Sequence, residues 1–247
     1  MLEIKNLVKN YGKKEAVKSI SLSVKPGEIY GFLGHNGAGK TTTIKVCTGL
    51  LKPTSGSVKI CGYDIVSQPL KAKENFGYVP DNPYLYNKLT GREFLDLVSG
   101  IYMKGKRKDA VKRIDQLLQD MQMTDNADKL IETYSHGMRR KITLCSALLH
   151  HPSVIFLDEP TTGLDVSSAK AAKDIFRKHA DEGCSILFTT HVLEIAERLC
   201  DRIGIICQGE IIAEGTFEEL KEKFEKPGST LEDIFLNITE QNRGEGN

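Results

Sequence analysis

Apolar and polar residues alternate from Leu2 to Val8 and again through Ile20, Leu22 and Val24, the period-two pattern of strands with one buried face. Gly12-Lys13 and Lys25-Pro26-Gly27 punctuate these stretches as turns, so the chain opens on antiparallel β structure. Glu28 to Leu33 (EIYGFL) reads as a strand running into a glycine-rich loop. Beyond the loop, Ile44, Cys47 and Leu51 recur on one face of a helix over Thr41 to Leu51. Pro53-Thr54-Ser55-Gly56 marks a turn and Val58 to Cys61 a short strand. Phe76 to Val79 reads as another strand, which stops at Pro80-Asp81-Asn82-Pro83.

Between residues 84 and 151 the period lengthens to that of helices. Thr90 and Glu93 form a capping box that opens one helix. Val111, Ile114, Leu117, Leu118 and Met121 stripe a second, and Ile142, Cys145, Leu148 and Leu149 stripe a third that ends before Pro152. The wholly apolar run Val154 to Leu157 then reads as a buried parallel strand. It is followed by a helix to about Ala180, a stop at Gly183 and the strand Ser185 to Phe188. A second β pair, Ile203 to Cys207 and Glu210 to Ala213, turns at Gln208-Gly209, and a helix covers Phe217 to Phe224. Pro227-Gly228-Ser229 breaks the pattern before an amphipathic stretch from Thr230 to Thr239 and a polar tail. The pattern predicts an α/β domain over 1–225 with a helical subdomain inserted at about 84–151, and a C-terminal appendage over 226–247.

The 247 residues are 40% hydrophobic and 27% charged, enough for one large core, and a formal net charge of +1 provides no overall attraction to nucleic acid. The basic run Lys104 to Lys108 reads as a solvated loop rather than a binding patch. Six cysteines without a CxxC pair suggest neither disulfides nor zinc, and so a reducing compartment. No stretch approaches the roughly 18 apolar residues of a membrane span, and MLEIKNLVKN lacks the apolar centre of a signal peptide, so any membrane role is expected to come through a partner.

Candidate chemistry centres on Gly34 to Thr41, GHNGAGKT, in a strand-to-helix context. Two glycines bracketing four residues, then Lys and Thr, make a loop whose N–H groups turn inward as an anion nest. The loop residues Gly34, His35, Asn36, Gly37, Ala38 and Gly39, with Thr42 beyond them, are the candidate phosphate cradle. Lys40 supplies a charge for the β and γ phosphates and Thr41 a hydroxyl for Mg²⁺. A dinucleotide loop is excluded because the third glycine position is Thr42. At the carboxyl end of the strand Val154 to Leu157, Asp158 suits a Mg²⁺ ion and Glu159 a proton from an attacking water, although Asp-Glu-Pro is also a plain strand exit. His191 follows a core strand, as a polar cap or as a contact to a γ-phosphate. Ser135 in YSHGM caps the third helix, and that helix N-terminus, with Gly137, also suits an external phosphate. Tyr11 is a turn-flanking aromatic with a face that suits an adenine.

Taken in this order, these elements resemble the nucleotide-binding subunit of an ABC transporter over nearly the whole chain, and TLEDIFLNIT and the single ATPase unit look most like the ABC-2-type exporter group. The resemblance implies a P-loop NTPase core with a mixed sheet, an N-terminal antiparallel β subdomain and an inserted helical subdomain. It makes Tyr11 the adenine-stacking aromatic, GHNGAGKT the Walker A loop, FLDEP the Walker B strand, YSHGM the signature, Gly163-Leu164-Asp165 the D-loop and His191 the switch histidine. It also implies ATP and Mg²⁺ as ligands, a dimer sharing two ATP molecules, separate transmembrane permease subunits, no nucleic acid, and a peripheral place on the cytoplasmic face of the membrane. Two features depart from the family pattern, one residue and one motif. Asp81 replaces the usual Gln, adding a carboxylate near the Mg²⁺ position. YSHGM keeps only Ser135 and Gly137 of LSGGQ, and its His136 is either an extra phosphate donor or a plain helix-start residue.

Overall fold

A computed structural model describes residues 1–223 and 231–236. In chain order its strands are β1 (Leu2–Tyr11), β2 (Lys14–Val24), β3 (Ile29–Leu33), β4 (Ser55–Ile60), β5 (Tyr63–Asp64), β6 (Phe76–Val79), β7 (Val154–Asp158), β8 (Ser185–Thr190), β9 (Arg202–Cys207) and β10 (Glu210–Gly215). The helices are α1 (Lys40–Cys47), α2 (Pro69–Lys73), α3 (Gly91–Tyr102), α4 (Arg107–Asp120), α5 (His136–Leu148), α6 (Val166–Asp181), α7 (Leu193–Leu199) and α8 (Phe217–Lys223), and 231–236 is also helical.

Two sheets result. The antiparallel sheet runs β2-β1-β4-β5, and its first hairpin closes through Gly12-Lys13, opposing Tyr11 to Lys14. The second runs β10-β9-β3-β8-β7-β6; five strands are parallel and β10 is antiparallel at the edge. The sheet is therefore mixed, as the resemblance implies. All of β3 is buried, and its alternating side chains reach different cores. Tyr30 and Phe32 join the antiparallel sheet and α1, Ile29 joins the core under α3 to α6, and Leu33 meets Ile203, Ile205, Leu231 and Ile234.

The helical insertion forms as predicted, with the Thr90 and Glu93 capping box complete. In α4, Ile114, Leu117 and Leu118 are buried, but Val111 is 44% exposed and Ala110 takes the inward place beside it. The helix predicted to reach Leu51 ends at Cys47, where the Thr48 hydroxyl donates to the Ile44 carbonyl and Gly49 turns into the left-handed region at φ +71. The short β5, α2 and α7 have no counterpart in the hydrophobic pattern. The predicted break at Pro227-Gly228-Ser229 and the polar tail lie outside the described residues, as does Phe224 at the end of the predicted helix. No described helix is long and apolar enough to cross a membrane.

Candidate functional site

The glycine-rich loop leaves β3 and enters α1 under tight packing. A Cβ at Gly34 would run into the Ile206 carbonyl, and Gly39, at φ +115, approaches the Ala16 carbonyl so closely that a Cβ would lie 2.7 Å from it. The β9–β10 turn fastens the loop from outside, where the Gly209 N–H donates to the Ala38 carbonyl at 2.9 Å. Gly39 is the N-cap of α1 and provides no side chain to its first amides, which leaves the helix start free to take an anion. Lys40 is buried, and its ammonium donates to the Gly34 and His35 carbonyls. Burial lowers its pKa, against the opposing pull of Glu159 and Asp158.

The acids come from the end of β7. Asp158 is fully buried; its Oδ1 accepts the Thr189 hydroxyl at 2.7 Å and lies 3.4 Å from the Thr41 hydroxyl. Its Oδ2 is buried with no hydrogen-bond partner among the described residues. A buried carboxylate oxygen left without a donor is costly, and a hard cation beside the Thr41 hydroxyl would satisfy it, so this donor set fits Mg²⁺. Glu159 adopts φ +50, a left-handed backbone unusual for a side chain of its size, held by its N–H bonds to the Thr189 carbonyl and hydroxyl, both at 3.2 Å. This turn aims its carboxylate at His191, whose Nδ1 lies 3.0 Å from Oε2.

A cavity of about 440 Å³ joins these groups, a size in the range of small-molecule sites. His35, Asn36, Gly37, Gly39, Lys40, Thr41 and Thr42 form its floor, Asp81, Asp158 and Glu159 one wall, and Tyr11, Lys14 and Ala16 the other. Tyr11 is about half exposed, with the Lys9 ammonium 5.3 Å from its ring centre. Gly34 and Ala38 lie behind the floor, and Ala38 is buried. His191 does not line this cavity; it borders a neighbouring one of about 310 Å³ with His35, Glu232 and Phe235, where the His35 and Phe235 rings meet edge to face at 4.8 Å.

The second group of predicted residues stands elsewhere. Ser135 caps α5, its hydroxyl accepting the Met138 N–H at 3.3 Å, and His136 packs on Gly163. Neither they nor Gly137 line the cavity. Asp165 caps α6: its carboxylate accepts the Ser168 N–H at 2.9 Å and the Ser167 and Ser168 hydroxyls, which hold its pKa well below the usual carboxylate range.

Sequence reasoning missed Thr189 and Arg140. Thr189 orients Asp158 but reads as one more β-branched strand residue. Arg140, in a basic run on α5, reads as solvated yet is fully buried, donating to the Pro80 carbonyl at 2.8 Å with Nη2 3.5 Å from Asp81 Oδ1. Asp81 itself is 46% exposed at the cavity edge.

Comparison with known proteins points to one family. The family model described as ABC transporter matches residues 17–162. A Nod factor export ATP-binding protein I of Burkholderia orbicola is 42% identical over 214 residues, covering 87% of this chain and 70% of that protein. A solved ATP binding subunit of an ABC transporter superposes with a TM-score of 0.92 at 31% identity, over 97% of this chain and 99% of that one. The dimeric post-hydrolysis ATP-binding cassette MJ0796, bound to ADP and Pi, superposes with a TM-score of 0.79 at 26% identity, over 87% of this chain and 98% of that one.

Proposed function

This chain belongs to the ABC transporter family, and we propose that it is the ATP-hydrolysing subunit of a membrane exporter, working as a dimer that closes on two ATP molecules and drives separate transmembrane subunits from the cytoplasmic face. The observation that carries this reading is the convergence of Lys40, Thr41, Asp158 and Glu159 on one cavity while Ser135, His136 and Gly137 stand outside it. A phosphate cradle and a second helix start that stands outside its cavity suit a site completed by a second copy. The export named for the Burkholderia relative and the dimeric state of the solved cassette support the same reading.

In this reading the loop amides and Lys40 hold the β and γ phosphates, and Tyr11 stacks on the adenine. Thr41 and Asp158 hold Mg²⁺, with Asp81 as a further oxygen donor. Bound there, Mg²⁺ neutralises charge on the phosphate oxygens. Glu159 takes a proton from the water that attacks the γ-phosphorus, and His191, donating from Nδ1–H, fixes the carboxylate that does so. The signature residues of the second copy, with Asp165 near their edge, close over the γ-phosphate.

Mixing two inactive chains tests the shared site. Ser135→Arg blocks one face and Lys40→Ala disables the other, so a mixed dimer carries one site with both lesions and one with neither. At equal amounts about half the dimers are mixed, and roughly a quarter of all sites are whole. ATPase activity should therefore return on mixing. No recovery, together with a monomer of Glu159→Gln in ATP by sedimentation, rejects the dimer.

A further inference from the structure

Arg140 is the largest fully buried side chain among the described residues, and it lies on α5, in the second turn after the Ser135 cap. A guanidinium taken wholly out of water needs its donors satisfied and its charge matched. Here one donor reaches the Pro80 carbonyl at 2.8 Å, another stands 3.5 Å from Asp81 Oδ1, and Nε is buried without a partner. The pairing is incomplete, so the charge remains available to more distant acids. Asp158 and Glu159 both act on it, and burial lowers its pKa against them and Asp81. Asp81, Asp158 and Glu159 all line the nucleotide cavity, where three carboxylates beside a polyanion repel it.

We propose that Arg140 is a positioning residue for the nucleotide site: its buried guanidinium holds Asp81 at the cavity wall and offsets one of the three carboxylates there, so one ion pair sets both the signature helix and the charge of the cavity. Asp81 and Arg140 then act as a unit. The charge that α5 places behind the wall lets a carboxylate occupy the β6 exit without weakening the hold on phosphate, and it draws Asp81 away from the Thr41 and Asp158 oxygens when no cation competes for it. The inference rests on the nucleotide reading of the cavity.

The test is a fluorescent ATP analogue titrated by anisotropy in EDTA, so that turnover and metal play no part. Removing Arg140 in Arg140→Gln leaves Asp81 uncompensated and weakens binding by about tenfold, the factor that 1.4 kcal/mol of lost electrostatic balance gives. Asp81→Gln removes one negative charge and tightens binding by about threefold, while the double variant binds as tightly as the parent rather than about threefold more weakly, the product that independent effects would give. A role confined to packing shifts both single variants the same way and makes the double multiply them, and that result overturns the proposal. If Arg140→Gln fails to fold, Arg140→Lys replaces it: the shorter point charge weakens binding, still opposite in sign to Asp81→Gln, and equal signs overturn the proposal. A parent chain that does not bind the analogue removes the nucleotide reading itself, whereas a binding parent with shifts of one sign removes only the pairing.

Discussion

The glycine-rich loop and the joint between the parallel sheet and the helical insertion are built on opposite plans. The loop is made by neighbours in the chain: backbone amides, three glycines and one lysine within eight residues, fastened by the Gly209 N–H. The joint is made by residues far apart. Arg140 reaches Pro80 and Asp81, while the His150 ring stacks on Tyr102 at 4.1 Å and contacts the Phe76 carbonyl through Nε2 at 3.1 Å. A site fixed by backbone holds its shape whatever its side chains do; a site fixed by a few side-chain contacts changes when one of them does. The first suits holding phosphate, the second relaying a change.

The largest expected effect breaks the loop side of this comparison. Lys40→Ala removes the loop's own ammonium and should weaken ATP binding on the order of 100-fold, whereas Glu159→Gln keeps Lys40 and removes one of the three carboxylates lining the cavity, so it should bind ATP at least as tightly as the parent. Turnover in Glu159→Gln should fall roughly 100- to 10,000-fold, the share a positioned general base supplies. Equilibrium binding beside steady-state ATPase rates checks both, and near-parental hydrolysis by Glu159→Gln rejects the role given to that carboxylate.

A smaller effect belongs to the joint. Asp81→Asn keeps the shape of the turn but removes the carboxylate, and should raise the Mg²⁺ concentration for half-maximal ATPase activity by about threefold to tenfold. Superimposable Mg²⁺ titrations of the two proteins would remove Asp81 from the metal's surroundings.

The smallest effect is a slope. Burial pushes the His150 imidazole down to about 4, against the bond to the Phe76 carbonyl and with His151 reinforcing the shift. Above about pH 6.5 neither the folded nor the unfolded chain carries the proton, and stability is flat. As pH falls from there toward 4, the unfolded chain takes up a proton that the folded chain refuses, so stability falls. Melting temperatures between pH 7 and 4.5 should decline less steeply in His150→Gln than in the parent; equal slopes reject the assignment.

The same division governs what the sequence makes legible. The loop, the Asp158-Glu159 exit and the caps at Thr90 and Ser135 are local, and local geometry needs particular residues at fixed spacing, so each leaves a motif. Arg140 leaves none, because an arginine in a basic run is solvated on most helices and only packing of α5 against β6 decides otherwise. Thr189 shares this fate, since a threonine in a strand has no mark that it will hold an aspartate 31 positions away. Val111 fits the apolar stripe of α4, but the stripe is wider than the face that α3 and α5 cover, and the smaller Ala110 beside it is the residue that is buried. The elements β5, α2 and α7 are too short for periodicity to detect.

The backbone at Glu159 has a consequence for the evolution of stability. A side chain held in the left-handed region costs on the order of 1–2 kcal/mol that glycine would not incur, and Glu159 is held there at φ +50. Judged by folding alone, the best residue at this position is the one without a carboxylate. Glu159→Gly should then melt at a temperature no lower than Glu159→Gln, and a search for heat-resistant variants that ignored activity would drift toward it. The glutamate marks a point where the chemistry at the end of β7 overrules what its own backbone prefers.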